Sequence, residues 1–412
     1  MKCCSAGCKH VALACVAVII SIVLVSTLAS AQTGLVRVFS MNPESLLRSQ
    51  KESMSGNKIV LATVKRLTKD ADKVIATKIG SVMDKDVIPP SGDKHDYLSY
   101  GRYYWPDPSK TDGLPYIQRD GESNPEAESV SDHANLQKVV KAVETLGLAY
   151  FYTVNEDYAE HATKIVRMWF LDPETKMNPN MNFGQIVKGK NVGRASGLID
   201  VRGFADLVDG VGLLAGSKSW TAQDQKGLVA WFDEYLTWLQ TSKIGQQEAE
   251  SDNNHGVWFD VQRTAIALFV GKTDLARTIL KDAKLKRIAK QIEPDGRMPR
   301  ELARTRSKHY TAFNLEAFFN LASIASSMGV DLWNYQTEDG RSLRRALDWF
   351  LPYYTGDMEW TYKQIDPFKK ESFYSTFYLA SAKFGDQKYV DAASPFLGDK
   401  AKTDRIHLMF GN

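Results

Sequence analysis

The chain is 412 residues long, enough to bury a substantial core, and its 52 Lys and Arg against 49 Asp and Glu give no basic field of the kind a nucleic-acid binder shows. All four cysteines, Cys3, Cys4, Cys8 and Cys15, fall within residues 1–31, so beyond that segment disulfides, thiol chemistry and cysteine-ligated metals are excluded.

Residues 1–31 read as a signal peptide. Lys2 and Lys9 supply the positive start, Val11 to Val25 a short apolar run, and Ala29-Ser30-Ala31 a small-residue cleavage site. The run is short for a membrane span, so the expectation is a secreted or periplasmic protein with no stable membrane association after cleavage. From Gln32 onward, residues 32–412 are expected to form a single domain held together by core burial alone. Without Lys2 and Lys9 the balance becomes 50 basic residues against the same 49 acidic ones, so any recognition of anions must be local.

Helical periodicity then dominates. "NKIVLATVKRLTKDADKVIATKIG" is the clearest of one or two amphipathic helices within residues 35–90. The pattern stops from Ile88 to Glu128, a proline-, glycine- and aromatic-rich stretch containing "YYWPDPSKTDGLPYIQRDGESNP". A connection that long is usually functional or disordered, and its aromatic density argues against disorder. Beyond it, nine segments from "SDHANLQKVVKAVETLGLAYFYT" to "ESFYSTFYLASAKFG" each begin near a polar cap and end near Gly or Pro. No run of alternating strands and no fixed-consensus repeat interrupts them. Serial antiparallel helix pairs with short connectors predict an all-α fold, an α/α toroid or incomplete α/α barrel whose helix ends and loops form a cleft.

Familiar catalytic motifs are absent: no HExxH, no GxSxG, no GxGxxG, and "GKT" at Gly271 lacks the earlier glycine of a phosphate loop, where Ile266 stands. Two stretches remain. "SDNNHGVWFDVQ" sets Asn253, Asn254 and His255 at a helix start, and "PDGRMPRELARTRSKHYTAFNLEAFFNLA" crowds Arg297, Arg300, Arg304 and Arg306 ahead of Tyr310. Taken alone, the asparagines are ordinary helix caps, and the arginines are a solvated face before a core helix striped by Tyr310, Phe313 and Ala317.

Together with the aromatic loop and "GRASGLIDVRGFADLVDGVGLL", these stretches resemble the alginate lyase domain family of the α/α-toroid polysaccharide lyases. The resemblance runs over roughly residues 55–390, and "NNHG" and the tyrosine are its most specific parts. It implies a catalytic set of Asn254, His255, Tyr310 and one arginine, Arg304 first, with Arg300 and Arg306 close enough to compete. It also implies an anionic uronate polysaccharide as substrate, cleaved by β-elimination without a metal or other cofactor. In that chemistry the C5 proton beside the carboxylate is removed and the C4 glycosidic oxygen expelled. Asn254 and Arg304 neutralise the carboxylate. Tyr310 protonates the leaving oxygen and, where C5–H and O4 are syn, as in mannuronate or glucuronate, can also take the C5 proton; in guluronate, where they are anti, His255 is the base. Tyr103, Tyr104, Trp105 and Tyr116 are candidates to stack on sugars, and Arg102, Arg119, Arg194 and Asn253, with Arg300 and Arg306, to meet neighbouring carboxylates and hydroxyls. Two other readings stand beside this one: a glycoside hydrolase using Asp252 with Asp260 or Asp200 with Asp206, and a non-catalytic sugar-binding protein.

Overall fold

A computed structural model describes residues 36–411; residues 1–31, expected to be a signal peptide, and the cysteines within them lie outside the described residues. Helices α1 (Pro43–Met54) and α2 (Lys58–Ile75) open the described chain, each capped by an asparagine side chain, Asn42 and Asn57. After the aromatic loop come α3 (Ser131–Thr153), α4 (Glu156–Val166), α5 (Phe204–Gly212), α6 (Ala222–Thr241), α7 (Lys243–Ala249) and α8 (Asn254–Phe269). The series ends with α9 (Thr273–Ala283), α10 (Pro299–Leu302), α11 (Ser307–Ser327), α12 (Leu343–Thr355), α13 (Tyr374–Phe384), α14 (Lys388–Leu397) and α15 (Ile406–Phe410).

Burial sorts these helices into two layers. Helices α3, α5, α8, α11 and α13 pack each against the next and form the inner layer. In α8 every residue from Gly256 to Phe269 is buried except Arg263, the pattern of a helix enclosed on all sides. Outer helices show one apolar stripe: α9 buries Ala276, Ile279, Leu280 and Ala283, at three- and four-residue steps, and lies on α8 as α4 lies on α3. Where α3 meets α5 only glycine fits, since a Cβ on Gly147 would stand 2.3 Å from the carbonyl oxygen of Gly210. The last helix returns to the first: the Asn42 N–H donates to the Met409 carbonyl at 3.1 Å, and α15 packs on α1 and α2. This is the expected α/α toroid.

The aromatic stretch is more ordered than its periodicity suggests. β1 (Leu98–Tyr100) pairs in parallel with β4 (Phe183–Ile186), and β2 (Tyr104–Trp105) pairs antiparallel with β3 (Ile117–Gln118). Strands of two to four residues are too short to leave an alternating signal in sequence.

An ion pair sealed from solvent ties that stretch to the helical body. Lys85 Nζ lies 2.9 Å from Asp132 Oδ2, both side chains fully buried, and also donates to the carbonyls of Val82 and Lys94. Asp132, in the first turn of α3, accepts the Leu98 N–H at 2.9 Å as well. Burial pushes the lysine down and the aspartate up to about 6, and each partner's charge opposes that drift. Removing one partner leaves the other charge buried alone. Lys85→Met is therefore expected to cost about 3–5 kcal/mol in urea denaturation; a loss below 1 kcal/mol would show that the pair does not anchor this region.

Candidate active site

The turn before α8 is built by local hydrogen bonds. Asn253 is the N-cap, its side chain accepting the His255 N–H at 3.1 Å, which leaves Asn254 and His255 in the first helical turn. The glycine of "NNHG" has a steric cause: a Cβ on Gly256 would lie 2.0 Å from the Ser251 carbonyl oxygen and 2.7 Å from Arg287 Nη1. Arg287, buried, binds the carbonyls of Ser251 and Ala249 at 2.7 Å each and pairs with Asp260 at 2.8 Å, stapling the turn onto α8.

Each side chain of the turn is braced by a buried acid. The Asn254 backbone N–H and Nδ2 donate to the two oxygens of Glu301 at 2.7 and 2.8 Å. His255 Nδ1 stands 2.8 Å from Glu248 Oε1, at the end of α7. With Nδ1–H donating to that carboxylate, the Nε2 lone pair remains for the cleft that His255 lines.

Arg304 and Tyr310 meet from either side of a bend between α10 and α11. The Arg304 guanidinium lies 3.7 Å from the centre of the Tyr310 ring and forks onto Asp120, with Nε 3.1 Å from both carboxylate oxygens and Nη2 2.5 Å from Oδ1. Asp120 belongs to the aromatic loop and also accepts the Thr305 N–H at 2.9 Å. Burial alone would raise the Asp120 carboxyl, but these bonds outweigh it and hold it below its usual range. The Tyr310 hydroxyl donates to the Tyr103 hydroxyl at 2.8 Å. Burial raises the Tyr310 phenol well above its ordinary value, partly opposed by the Arg304 charge, so the resting group carries its proton.

Asn254, His255, Arg304 and Tyr310 thus line one cleft of about 810 Å³. Arg102, Tyr103, Tyr104, Arg194, Asn253 and Arg306 line it too. Arg194 donates to the Tyr104 hydroxyl at 3.0 Å, and Arg306 pairs with Asp366. Four expected contributors are absent from the lining. Trp105 donates to the Glu122 carbonyl at 3.0 Å with Arg119 over its ring, and Tyr116 donates to Glu126 at 2.7 Å. These three hold the loop together. Arg300, largely exposed, pairs with Asp252.

The carboxylates of a hydrolase are already engaged: Asp260 by Arg287 and Arg263, Asp252 by Arg300, and Asp200, which lines the cleft, as acceptor for Tyr97, Ser99 and Gln185. Burial and nearby Glu144 raise the Asp206 carboxyl well above its usual range. Among the described residues no group of three or more His, Cys, Asp or Glu is placed to hold a metal ion.

Sequence reasoning missed Glu248, Glu301 and Asp120, as well as the cleft-lining Arg202, His309 and Glu316. For two of these a signal existed. His309, Phe313 and Glu316 follow helical spacing on the face beside the Tyr310 stripe, and burial with the charge of Arg306 lowers His309.

A family model for alginate lyase matches residues 81–360. No curated protein matches the sequence. Among solved structures, an alginate lyase from Bacteroides ovatus superposes with a TM-score of 0.86 at 40% identity, covering 91% of this chain and 99% of that one. Alginate lyase A1-III from Sphingomonas species A1 superposes at 0.60 with 18% identity over 92% and 98% of the two chains. A histidine-to-alanine variant of A1-III complexed with a tetrasaccharide gives 0.57 at 18% identity over 84% and 93%. At that lower identity the likeness speaks to fold alone.

Asp120 ties Arg304 to the loop by a forked ion pair, so its loss is expected to release the guanidinium from the tyrosine ring. Asp120→Ala should lower by about 10²-fold any turnover that uses both groups, measured on protein that a circular-dichroism melt shows to be folded. Undiminished turnover would show that Arg304 holds its place without the loop.

Proposed function

The chain belongs to the alginate lyase family and is a polysaccharide lyase, and from that premise we propose that it cleaves a uronate polysaccharide, alginate first, by β-elimination at Asn254, His255, Arg304 and Tyr310. The observation that carries the reading is the convergence of these four side chains on one cleft, with a guanidinium stacked on a phenol that retains its proton. Family membership sets aside the hydrolase and the sugar-binding readings.

The division of labour follows from protonation states. Abstraction of the C5 proton generates negative charge on the adjacent carboxyl, and Asn254 with Arg304 supplies hydrogen bonds and positive charge there, in a site shielded from water. Tyr310, a phenol at rest, is ready to protonate the C4 oxygen as the bond breaks. His255, with Nδ1 engaged by Glu248, offers Nε2 as a base. That pairing suits guluronate, where base and acid act on opposite faces. On mannuronate one group must serve both steps, so Tyr310 first loses its proton, a loss that Arg304 against its ring makes less costly.

The leader at residues 1–31 supports export to the periplasm or beyond; amino-terminal sequencing of protein recovered from outside the cytoplasm should begin near Gln32, and recovery of the intact leader would oppose it.

Incubation with polymannuronate, polyguluronate, glucuronan and a neutral glucan, following ultraviolet absorbance of the new C4–C5 double bond, tests the reaction class: absorbance should grow on uronates only. Tyr310→Phe should fold, bind and lose about 10²–10⁴-fold in rate. Near-normal turnover by that variant would remove Tyr310 from the chemistry. The raised Tyr310 phenol also sets a pH contrast. Its phenolate fraction grows with rising pH, so the rate on polymannuronate should climb into the alkaline range while the rate on polyguluronate, which uses the protonated phenol, does not follow; parallel profiles would contradict the two-route scheme.

A further inference from the structure

Glu301 is 1% exposed, and among the described ion pairs it has none; its oxygens are met instead by the backbone N–H and Nδ2 of Asn254. The other end of that amide is unmatched: Asn254 Oδ1 is buried with no hydrogen-bond partner. A buried carboxylate without a cation and a buried carbonyl without a donor are both costly. The orientation also conflicts with the task of Asn254, because the donor that a substrate carboxylate needs is turned toward Glu301.

One proton resolves all three. A neutral Glu301 carboxyl donates to Oδ1 of an Asn254 amide turned over about its last torsion, while its carbonyl oxygen still accepts the Asn254 backbone N–H. Nδ2 then lies at the end of the amide away from Glu301. Resting on the lyase reading, we propose that Glu301 is a positioning residue that takes up one solvent proton when a uronate carboxylate binds beside Asn254, so that Nδ2 rather than Oδ1 meets the substrate. The proton returns to solvent on product release, and no substrate bond changes in the step.

Electrostatics favour the same direction. A second negative charge placed beside a buried carboxylate stabilises its neutral form. The titratable and charged groups facing Glu301 are His255 on α8 and Arg304 at the next turn, themselves paired with Glu248 and Asp120. Burial already pushes Glu301 up to about 7, against the hydrogen bonds of Asn254 and the influence of Arg304 and His255.

The test uses the Tyr310→Phe chain and a mannuronate tetramer, titrated calorimetrically in buffers of different ionisation enthalpy at about pH 8. Uptake approaching one proton per bound tetramer is expected, with affinity falling roughly tenfold per pH unit in the alkaline range. Glu301→Gln in the same background can donate to Oδ1 and accept the backbone N–H, as the neutral acid does. It should bind with no proton uptake and lose the alkaline decline. Binding without uptake, or uptake that survives Glu301→Gln, overturns the proposal and leaves the lyase reading intact. Should the glutamine variant not fold, an infrared difference spectrum of the Tyr310→Phe chain decides instead: a protonated-carboxyl band gained on binding supports the proposal, and its absence overturns it. No binding of any uronate oligomer would overturn the lyase reading and this inference with it.

Discussion

A carboxylate taken out of water has to be met by donors, and the candidate site is organised around three that are. Glu248, Glu301 and Asp120 hold His255, Asn254 and Arg304 respectively, at 2.5–3.1 Å. The energetic reason is asymmetric: a satisfied buried acid adds modestly to stability, whereas one stripped of its partner carries its full desolvation cost. The native arrangement therefore keeps these side chains from swinging away from the cleft, and for His255 and Arg304 that is the preorganisation that charge stabilisation requires, while the Asn254 amide still has to turn about its last torsion.

The three acids come from different parts of the chain, and the fold is what brings them together. Glu248 ends α7, a few residues before the turn it braces. Glu301 lies on α10, leading into the bend that carries Arg304 and Tyr310. Asp120 arrives from the aromatic loop, 184 residues from Arg304 in sequence. That loop reaches the site because the buried Lys85–Asp132 pair and the short β1–β4 pairing fix its beginning, while Trp105, Arg119 and Tyr116 close it on itself. Damage to the anchor is thereby transmitted to Arg304 without touching it.

This division explains what the sequence could tell. The toroid was legible because amphipathic helices such as α2 and α9 carry apolar residues at three- and four-residue steps, while inner helices such as α8 and α11 read as long apolar segments ended near Gly. Asn254, His255 and Tyr310 stood out because "NNHG" and the arginine-rich approach to Tyr310 are local patterns that carry the family resemblance; by themselves they read as helix caps and a solvated face. The arginine was ambiguous for a physical reason: Arg300, Arg304 and Arg306 each take a different acid, Asp252, Asp120 and Asp366, and only long-range pairing separates them. Of these, Arg304 alone stacks on Tyr310. The aromatics divided in the same way, Tyr103 and Tyr104 toward the cleft, Trp105 and Tyr116 into the loop. Nothing local marks Glu248 and Glu301, because their burial is a property of the packed molecule.

Near-neutral overall charge and a polyanionic ligand are compatible once the pairing in the cleft is considered. Arg304 and Arg306 each face the cleft with a carboxylate already beside them, and Arg102 pairs with Glu128 at its more exposed edge. The pairing of these three arginines weakens their long-range pull, since paired charges cancel beyond roughly 8–10 Å at physiological salt. At contact distance the cancellation fails. A guanidinium fork keeps N–H groups beyond those its acid occupies, and in a half-closed cleft these meet a sugar carboxylate without competition from bulk water. Recognition of the polymer then depends on close fit along the cleft more than on attraction from afar, which is how a chain of 52 basic and 49 acidic residues can take an anionic polysaccharide.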